Sequence, residues 1–330
     1  MPVPVPIIIA AKRFAGQRER AVLFVGSGLR AVRDKSYSAA GRAKKAVAGH
    51  VNIVYHIAMN KPCNLCGGAE IRVLESSPDG VRAVRCAACG LVRLDPPPDL
   101  SAVPQHYDEG YFRPWIEEQS SPRGRLWKKR LALLESHRKT GRLLDVGCAD
   151  GAFLSAAKAS GWTVTGTEVS DWAVKNIPAK LGAEVKAGDI ASVDLPDGSF
   201  DAITMWHVLE HTPDPLADLR RIRALLKDDG VFIMAVPNER NMIFRTLYPL
   251  ARGRFLRYYT PGERELHLFH FTAATLRAML EKAGFKVLRI GLDRSALSGA
   301  HRAIEALSGA VMALGGPNWG DALEAVAVRK

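Results

Sequence analysis

The chain has 330 residues, 47% hydrophobic and 24% charged, which is more than one small core usually absorbs, so two domains are expected. That composition excludes a collagen-like, a wholly disordered or a polytopic membrane protein. No apolar run reaches the roughly 20 residues of a transmembrane helix, so no stable membrane insertion is expected.

The early apolar run Val3–Ala11 is interrupted by Pro4 and Pro6 and follows no basic stretch, unlike a secretory signal. A cytoplasmic setting is therefore expected. The net charge of +12 is unevenly distributed, with ten Lys/Arg and two Asp/Glu in residues 1–58. Such a segment suits nucleic acid, an anionic membrane or organelle targeting. The favoured readings are a poorly ordered extension over 1–58 or translation from Met59.

Four of the five cysteines form two matching pairs, Cys63-Asn-Leu-Cys66-Gly67 and Cys86-Ala-Ala-Cys89-Gly90, nineteen residues apart. Two C-x-x-C knuckles at this distance fit a four-thiolate structural zinc site. Two intervening residues let one tight turn aim both sulfurs at one metal, and the following Gly can take the positive φ the turn requires. Ile71–Leu74 and Val81–Val84 alternate like two short strands, with Pro78-Asp79-Gly80 as a turn. The competing reading is two disulfides, but nothing else suggests an oxidising compartment. Four protein thiolates leave no open position for catalysis.

From residue 141 strands alternate with helices. Arg142–Val146 reads as a strand, Gly147–Gly151 as a tight turn, and Ala152–Ser160 as a helix closed by Gly161. Trp162–Thr167 is the next strand, ending at Glu168, and Ser170 caps a helix that Pro178 is expected to shorten or bend. Here a Gly-rich turn abuts a helix N-terminus and an acid ends the second strand, where it can accept hydrogen bonds from ribose hydroxyls. A dinucleotide fold competes, but Gly147, Ala149 and Ala152 meet its glycine spacing only loosely.

Leu144–Gly151 (Leu-Asp-Val-Gly-Cys-Ala-Asp-Gly) resembles the first motif of the class I S-adenosylmethionine-dependent methyltransferases, with Ala149 where that family commonly has Gly. Further landmarks follow in the family's order. They are Gly188-Asp189-Ile190 after a third strand, Phe200–Trp206 as the fourth, His207-Val-Leu-Glu-His211 with Asp214-Pro215 beyond it, and Leu226–Gly230 before a fifth, Val231–Val236. Gly284-Phe285 leads into the sixth strand and Ala322–Arg329 is the last.

The resemblance implies an α/β fold, a doubly wound, Rossmann-like sheet of seven strands with the seventh antiparallel. It also implies S-adenosylmethionine as cofactor, held by Asp145, Gly147, Gly151, Glu168 and Asp189, with Cys148, Ala149, Ile190 and Trp206 lining the same pocket. Cys148 reads as a small packed residue rather than a nucleophile. The C-x-x-C-G pairs followed by the Tyr-rich stretch His106–Phe112 resemble a bacterial subgroup with an N-terminal zinc ribbon that acts on glycans or secondary metabolites.

Methyl transfer to a hydroxyl benefits from a general base, and His is suited to it near neutrality. His207, His267 and His270 are the catalytic candidates, each also readable as a packed or capping residue. His207, Glu210 and His211 share one face if their turn is helical. In the similar quinone-biosynthesis O-methyltransferases Glu stands where this chain has His207, and that stretch can bind a divalent cation. Here Glu210 and His211 are expected to brace the loop instead.

The insertion at about 238–271 is the expected lid, with Arg240, Arg245, Arg252, Arg254 and Arg257 against Glu239 over 238–259, and Phe244, Tyr248, Phe255, Tyr258 and Tyr259 beside them. Arg forks suit phosphate or carboxylate and rings suit sugar faces or bases, so a small anionic or sugar-linked acceptor is one reading. A solvated amphipathic cover is the other.

The expected organisation is thus a basic extension over 1–58, a zinc ribbon over 59–95, a linker and Tyr-rich segment over 96–122, and a methyltransferase domain over 123–330. The expected activity is O-methylation of a small glycosidic or secondary-metabolite acceptor. One alternative is an rRNA or tRNA methyltransferase, not favoured because Trp206-His207 replaces the Asp/Asn-Pro-Pro-aromatic motif of base-amine methylation. The other is an inactive, methyltransferase-like binding protein.

Overall fold

Apolar runs without alternation, such as Phe200–Trp206, can be satisfied only as strands covered on both faces, and every residue of that run is buried. The computed structural model describes residues 61–101, 103–117, 122–253, 255–293 and 299–330. The expected basic extension and Met59, as well as Arg254, lie outside the described residues.

Three short strands come first among the described residues, β1 (Ile71–Ser76), β2 (Arg82–Cys86) and β3 (Val92–Leu94). Three helices follow, α1 (Val103–His106), α2 (Glu109–Glu117) and α3 (Pro122–His137). The alternating part runs β4 (Arg142–Val146), α4 (Ala152–Ala159), β5 (Thr163–Glu168), α5 (Asp171–Leu181), β6 (Glu184–Ala187), β7 (Phe200–Trp206), a 3-10 turn (Leu209–His211), α6 (Pro215–Leu225) and β8 (Leu226–Pro237). The insertion holds a π turn (Ile243–Leu247), α7 (Tyr248–Arg252) and β9 (Phe269–His270). The chain closes with α8 (Ala273–Lys282), β10 (Phe285–Asp293), α9 (Gly299–Ala313) and β11 (Ala322–Arg329).

The large sheet has seven strands in the order β10-β11-β8-β7-β4-β5-β6. All pairs are parallel except those of β11, which runs antiparallel to both β10 and β8. This is the expected doubly wound, Rossmann-like sheet. Helix α6 starts on Asp214, whose Oδ1 accepts from Ala217 N at 3.2 Å, with Pro215 at its first turn. It buries Leu216, Leu219, Ile222 and Leu225. Helix α8 starts in a capping box between Thr272 and Thr275 and buries Leu276, Met279 and Leu280.

Helix α5 runs through Pro178 to Leu181, so the proline does not shorten it. One local expectation needs correction. The fifth strand of the motif series begins at Leu226 rather than Val231. Leu226 pairs with Phe200, and an irregularity between Phe200 and Ala202 absorbs the extra residues.

The cysteine-bearing segment is tied to the large sheet. Its antiparallel sheet has the order β1-β2-β3-β9, so its fourth strand comes from the far end of the insertion. Leu94 N donates to Leu268 O at 2.9 Å alongside that pairing. Cys63, Leu65, Leu91 and Leu94 share one apolar cluster with Leu216, Leu276 and Phe285. Among the described residues no helix is long and apolar enough to cross a membrane.

Helix α3 is anchored by charge. Buried Arg130 meets Asp293 at the end of β10 at 2.5 Å, and Lys129 reaches the same carboxylate at 2.8 Å. Burial opposes ionisation of Asp293, but these two cations outweigh it and hold its pKa at about 2. The Arg130 guanidinium also lies over the rings of Trp127 and Trp206, 5.0 and 4.3 Å from their centroids. Arg130→Ala leaves a buried carboxylate half-compensated, and urea unfolding should register a loss of about 3 kcal/mol or more. A loss below about 1 kcal/mol would mean that Lys129 alone suffices.

Candidate active site at the carboxyl edge of the sheet

The turn after β4 is forced into an unusual backbone. Gly147, Ala149 and Gly151 have φ of 69°, 52° and 74°. A Cβ on Gly147 would come within 2.5 Å of Val208 Cγ2, so the turn packs directly on the segment after β7. Ala149 pays a steric penalty there that glycine would not. Cys148 is buried, with its Sγ 2.6 Å from where a Gly166 Cβ would stand, and burial pushes its thiol pKa far up. It is a packing residue, as its place in the motif suggested.

Glu168 holds this turn. Its Oε2 accepts from Ala149 N at 2.9 Å, and its Oε1 accepts from Val169 N at 2.8 Å and Ser170 N at 3.0 Å. Burial raises its pKa, and the three amides work against that rise. Ser170 caps α5, accepting from Ala173 N at 3.2 Å, while its hydroxyl donates to Tyr107 O at 2.5 Å. The Tyr-rich segment therefore lies against this edge as α2, with Phe112 stacked on Trp172 at 5.3 Å. Arg123 of α3 grips Asp150 of the turn through two bonds of 2.6 and 2.9 Å.

The remaining predicted cofactor residues border the same edge. Asp189 is exposed in the loop after β6 and accepts from Ser192 N at 2.8 Å, while Ile190 beside it is buried. Trp206 ends β7 with its ring edge-on to Phe153 at 5.4 Å and its Nε1 buried without a partner among the described residues. Asp145 is buried in β4 and accepts from Thr204 Oγ1 at 2.7 Å.

His207 follows Trp206 in a left-handed conformation with φ of 56°, rare for a residue bearing a Cβ. Its Nδ1 lies 3.6 Å from Glu210 Oε1, its Nε2 4.0 Å from Asp293 Oδ2, and its side chain is 37% exposed. Glu210 is buried, and neither of its carboxylate oxygens has a hydrogen-bond partner among the described residues. Burial opposes its ionisation, but His207, His211 and His267 outweigh it and lower its pKa.

His211 Nδ1 lies 2.8 Å from Leu266 O and must donate to it, which leaves Nε2, 3.9 Å from Glu210 Oε1, as a bare lone pair in the neutral ring. The rings of His211 and His267 meet at 4.8 Å, and His267 lies 6.0 Å from His270. Burial lowers the pKa of His267, and that of His270 falls to about 3. His270 Nε2 is enclosed with no partner among the described residues. Of the three predicted catalytic histidines, His207 is thus the one poised between two carboxylates, and His270 is a neutral wall residue. Glu210 was legible only as a spacing, since its burial depends on Leu268 of the insertion, whose N donates to Glu210 O at 2.7 Å.

Among the described residues, two donor clusters could hold a metal. Glu210, His211 and His267 bring three ligand atoms within 4.8 Å of one another. Cys63, Cys66, Cys86 and Cys89 do the same with four sulfurs. The Cys63–Cys89 and Cys66–Cys86 pairs stand 3.5 Å apart, far beyond a bonded ~2.05 Å and close to the ~3.8 Å edge of a tetrahedron with Zn–S of ~2.3 Å. Gly67 and Gly90 take the φ of 77° and 79° that their knuckles require, and their N–H groups close the turns onto Cys63 O and Cys86 O at 2.8 and 3.0 Å. The four-cysteine cluster is compatible with a zinc ribbon.

The methyltransferase-domain family model matches residues 117–290. A probable S-adenosylmethionine-dependent methyltransferase of Mycolicibacterium smegmatis is 27% identical over 158 residues, covering 46% of this chain and 55% of that protein. A ubiquinone biosynthesis O-methyltransferase of Xanthomonas campestris is 33% identical over 105 residues, covering 30% of this chain and 44% of that protein. The chain thus spans about half the length of these curated relatives. In fold it is similar to magnesium protoporphyrin IX methyltransferase of Synechocystis PCC 6803, solved with bound S-adenosylhomocysteine, with TM-score 0.51 and 16% identity over 70% of this chain and all of that one. The chain belongs to the class I S-adenosylmethionine-dependent methyltransferases.

Asp145 gives a pH test. Burial, against the bond from Thr204, raises its pKa to about 7, whereas the unfolded chain titrates near ~3.9. The folded state therefore keeps a proton that the unfolded state has lost, and stability falls as pH rises from about 4 to about 7. Asp145→Asn removes that loss. Its gain over wild type in urea unfolding should be near zero at pH 4 and grow to at most about 4 kcal/mol at pH 8. A gain independent of pH would show that Asp145 is ionised throughout.

Proposed function

We propose that the protein transfers the methyl group of S-adenosylmethionine to a hydroxyl of a small acceptor, with His207 as general base. The observation that carries this reading is the position of His207, at the carboxyl end of β7 beside the Gly-rich turn and between the carboxylates of Glu210 and Asp293. The turn Gly147–Gly151, with Asp145 beneath it, would approach the cofactor's amino-acid part. Glu168 would face its ribose, and Asp189 and Ile190 its adenine.

Bound cofactor supplies an electrophilic methyl on a sulfonium. The acceptor oxygen forms the new O–CH3 bond, the S–CH3 electron pair stays on sulfur, and S-adenosylhomocysteine leaves. His207 takes the hydroxyl proton, with the carboxylates of Glu210 and Asp293 on either side of its ring. Trp206, Phe153 and the α2 aromatics exclude water from this edge, and in-line positioning supplies much of the rate. A glycosidic or secondary-metabolite acceptor rests on the ribbon-plus-methyltransferase arrangement alone. The cytoplasm, where thiols stay reduced, suits a ribbon that binds zinc.

A second reading has a divalent cation held by Glu210, His211 and His267. The bare His211 Nε2 facing an unpartnered carboxylate favours it, and such an ion would acidify a coordinated hydroxyl.

Calorimetry with S-adenosylhomocysteine should give saturable binding, and folded protein that binds none would favour the inactive-scaffold alternative. His207→Gln should keep that affinity and lower kcat by about 100-fold or more. Unchanged kcat would remove His207 as base. Activity retained in EDTA, with the cysteine-bound metal still in place, would dispose of the cation reading. Metal analysis of purified protein should return about one equivalent of zinc for the four thiolates, and less than half would sink the ribbon assignment.

A further inference from the structure

The insertion faces the cysteine-bearing sheet across a cavity of about 630 Å3, within the size range of small-molecule sites. Arg85 of β2 lines it from one side, and Arg240, Arg245, Arg257 and Tyr258 from the other. Its two carboxylates each have an arginine within ion-pair distance, although Glu75 Oε1 makes no hydrogen bond among the described residues. Glu239 Oε1 accepts from Arg85 Nη2 at 2.8 Å and from Tyr258 OH at 2.9 Å. Glu75 Oε2 accepts from Tyr258 N at 2.9 Å, and its Oε1 lies 3.4 Å from Arg257 Nε.

Among the described residues that line the cavity, four guanidinium groups face two carboxylates. Arg240 is exposed, and among the described residues no carboxylate pairs with it. Arg245 lies over the Tyr258 ring at 3.9 Å, and its only bonds among the described residues are long ones to the carbonyls of Glu239 and Leu256, at 3.4 and 3.5 Å. Arg85 Nε is enclosed and has no partner among the described residues. These are unsatisfied donors converging on one cavity, and guanidinium forks match phosphate oxygens two at a time.

A row of packed rings leads from the cavity to the reacting end. Tyr258 meets His270 at 4.9 Å, and His270, His267 and His211 continue as a row of rings to Glu210. We propose that this cleft is the acceptor's phosphate subsite, so that the acceptor is a phosphorylated small molecule whose anion is gripped by Arg85, Arg240 and Arg245 while its hydroxyl reaches His207. The cysteine-bearing sheet is then part of the acceptor site. This rests on the methyl-transfer reading for the hydroxyl, but the anion site can be tested without it.

Full-length, zinc-loaded protein saturated with S-adenosylhomocysteine is titrated with inorganic phosphate and with inorganic pyrophosphate. At least one should bind saturably at one site. Tighter pyrophosphate binding indicates a diphosphate-linked acceptor, and tighter phosphate binding a monoester. The double variant Arg240→Ala, Arg245→Ala should weaken that binding by about tenfold or more, with affinity for S-adenosylhomocysteine unchanged. Arg240→Ala alone, which breaks no ion pair among the described residues, should weaken it by a smaller factor. Absence of anion binding in protein that binds S-adenosylhomocysteine, or equal anion affinity in the double variant, overturns the subsite. Loss of S-adenosylhomocysteine binding with anion binding intact would instead overturn the methyl-transfer reading.

Discussion

The carboxylate of Glu168 fixes the geometry of the whole carboxyl edge. It sits at the end of β5 and accepts from the amides of Ala149, Val169 and Ser170. One side chain thus joins the turn after β4 to the first turn of α5. Its burial resists a negative charge, and three backbone N–H donors, two of them just ahead of α5, are what make such a charge tolerable. With Glu168 in place, Ala149 is held in its left-handed conformation and Cys148 is pressed against Gly166. The start of α4 is then aimed across the sheet edge, and Tyr107 is drawn in through Ser170. Bonded to the backbone three times, this carboxylate shapes the edge on which it lies.

Strain is concentrated at the neighbouring strand ends. Among the described residues, Ala149 after β4 and His207 after β7 are the two non-glycine residues with positive φ. They terminate adjacent parallel strands, and both loops need sharp reversals to leave room above the sheet. Glu210 adds an electrostatic tension, a buried carboxylate surrounded by imidazoles rather than by hydrogen-bond donors. Packed cores do not retain such arrangements without compensation, which fits an edge built for chemistry rather than for stability alone.

Much of this architecture could be read from the sequence where residues speak for themselves. Arg142–Val146, Phe200–Trp206 and Ala322–Arg329 are strands with the expected bounds, because a run buried on both faces carries its own signal. The cysteine knuckles and the Gly-rich turn were likewise legible, since thiolate spacing and positive φ restrict residue type locally. Strand β9 was not, because two residues have no period and Phe269–His270 becomes a strand only through pairing with β3. The helical state of Glu109–Glu117 was hidden too, as Phe112 is explained only by the Trp172 it meets. Arg85 looks like any outward strand residue until the insertion folds across it, and the burial of Glu210 likewise depends on the insertion, where Leu268 N meets its carbonyl.

The shared strand has a consequence for how the chain is made. Val92 pairs with His270, a partner synthesised about 180 residues later, so the small sheet cannot be completed as it leaves the ribosome. Until then β3 has an open edge, and the apolar side chains of Leu91 and Leu94 lack the partners they meet in the finished core. Thiolates clustered early could hold the N-terminal knuckles together through that interval, while the sheet edge waits for its last strand. Removing the cysteine-bearing segment as though it were a detachable module would, by the same logic, strand β9 and expose the wall that carries His267 and His270.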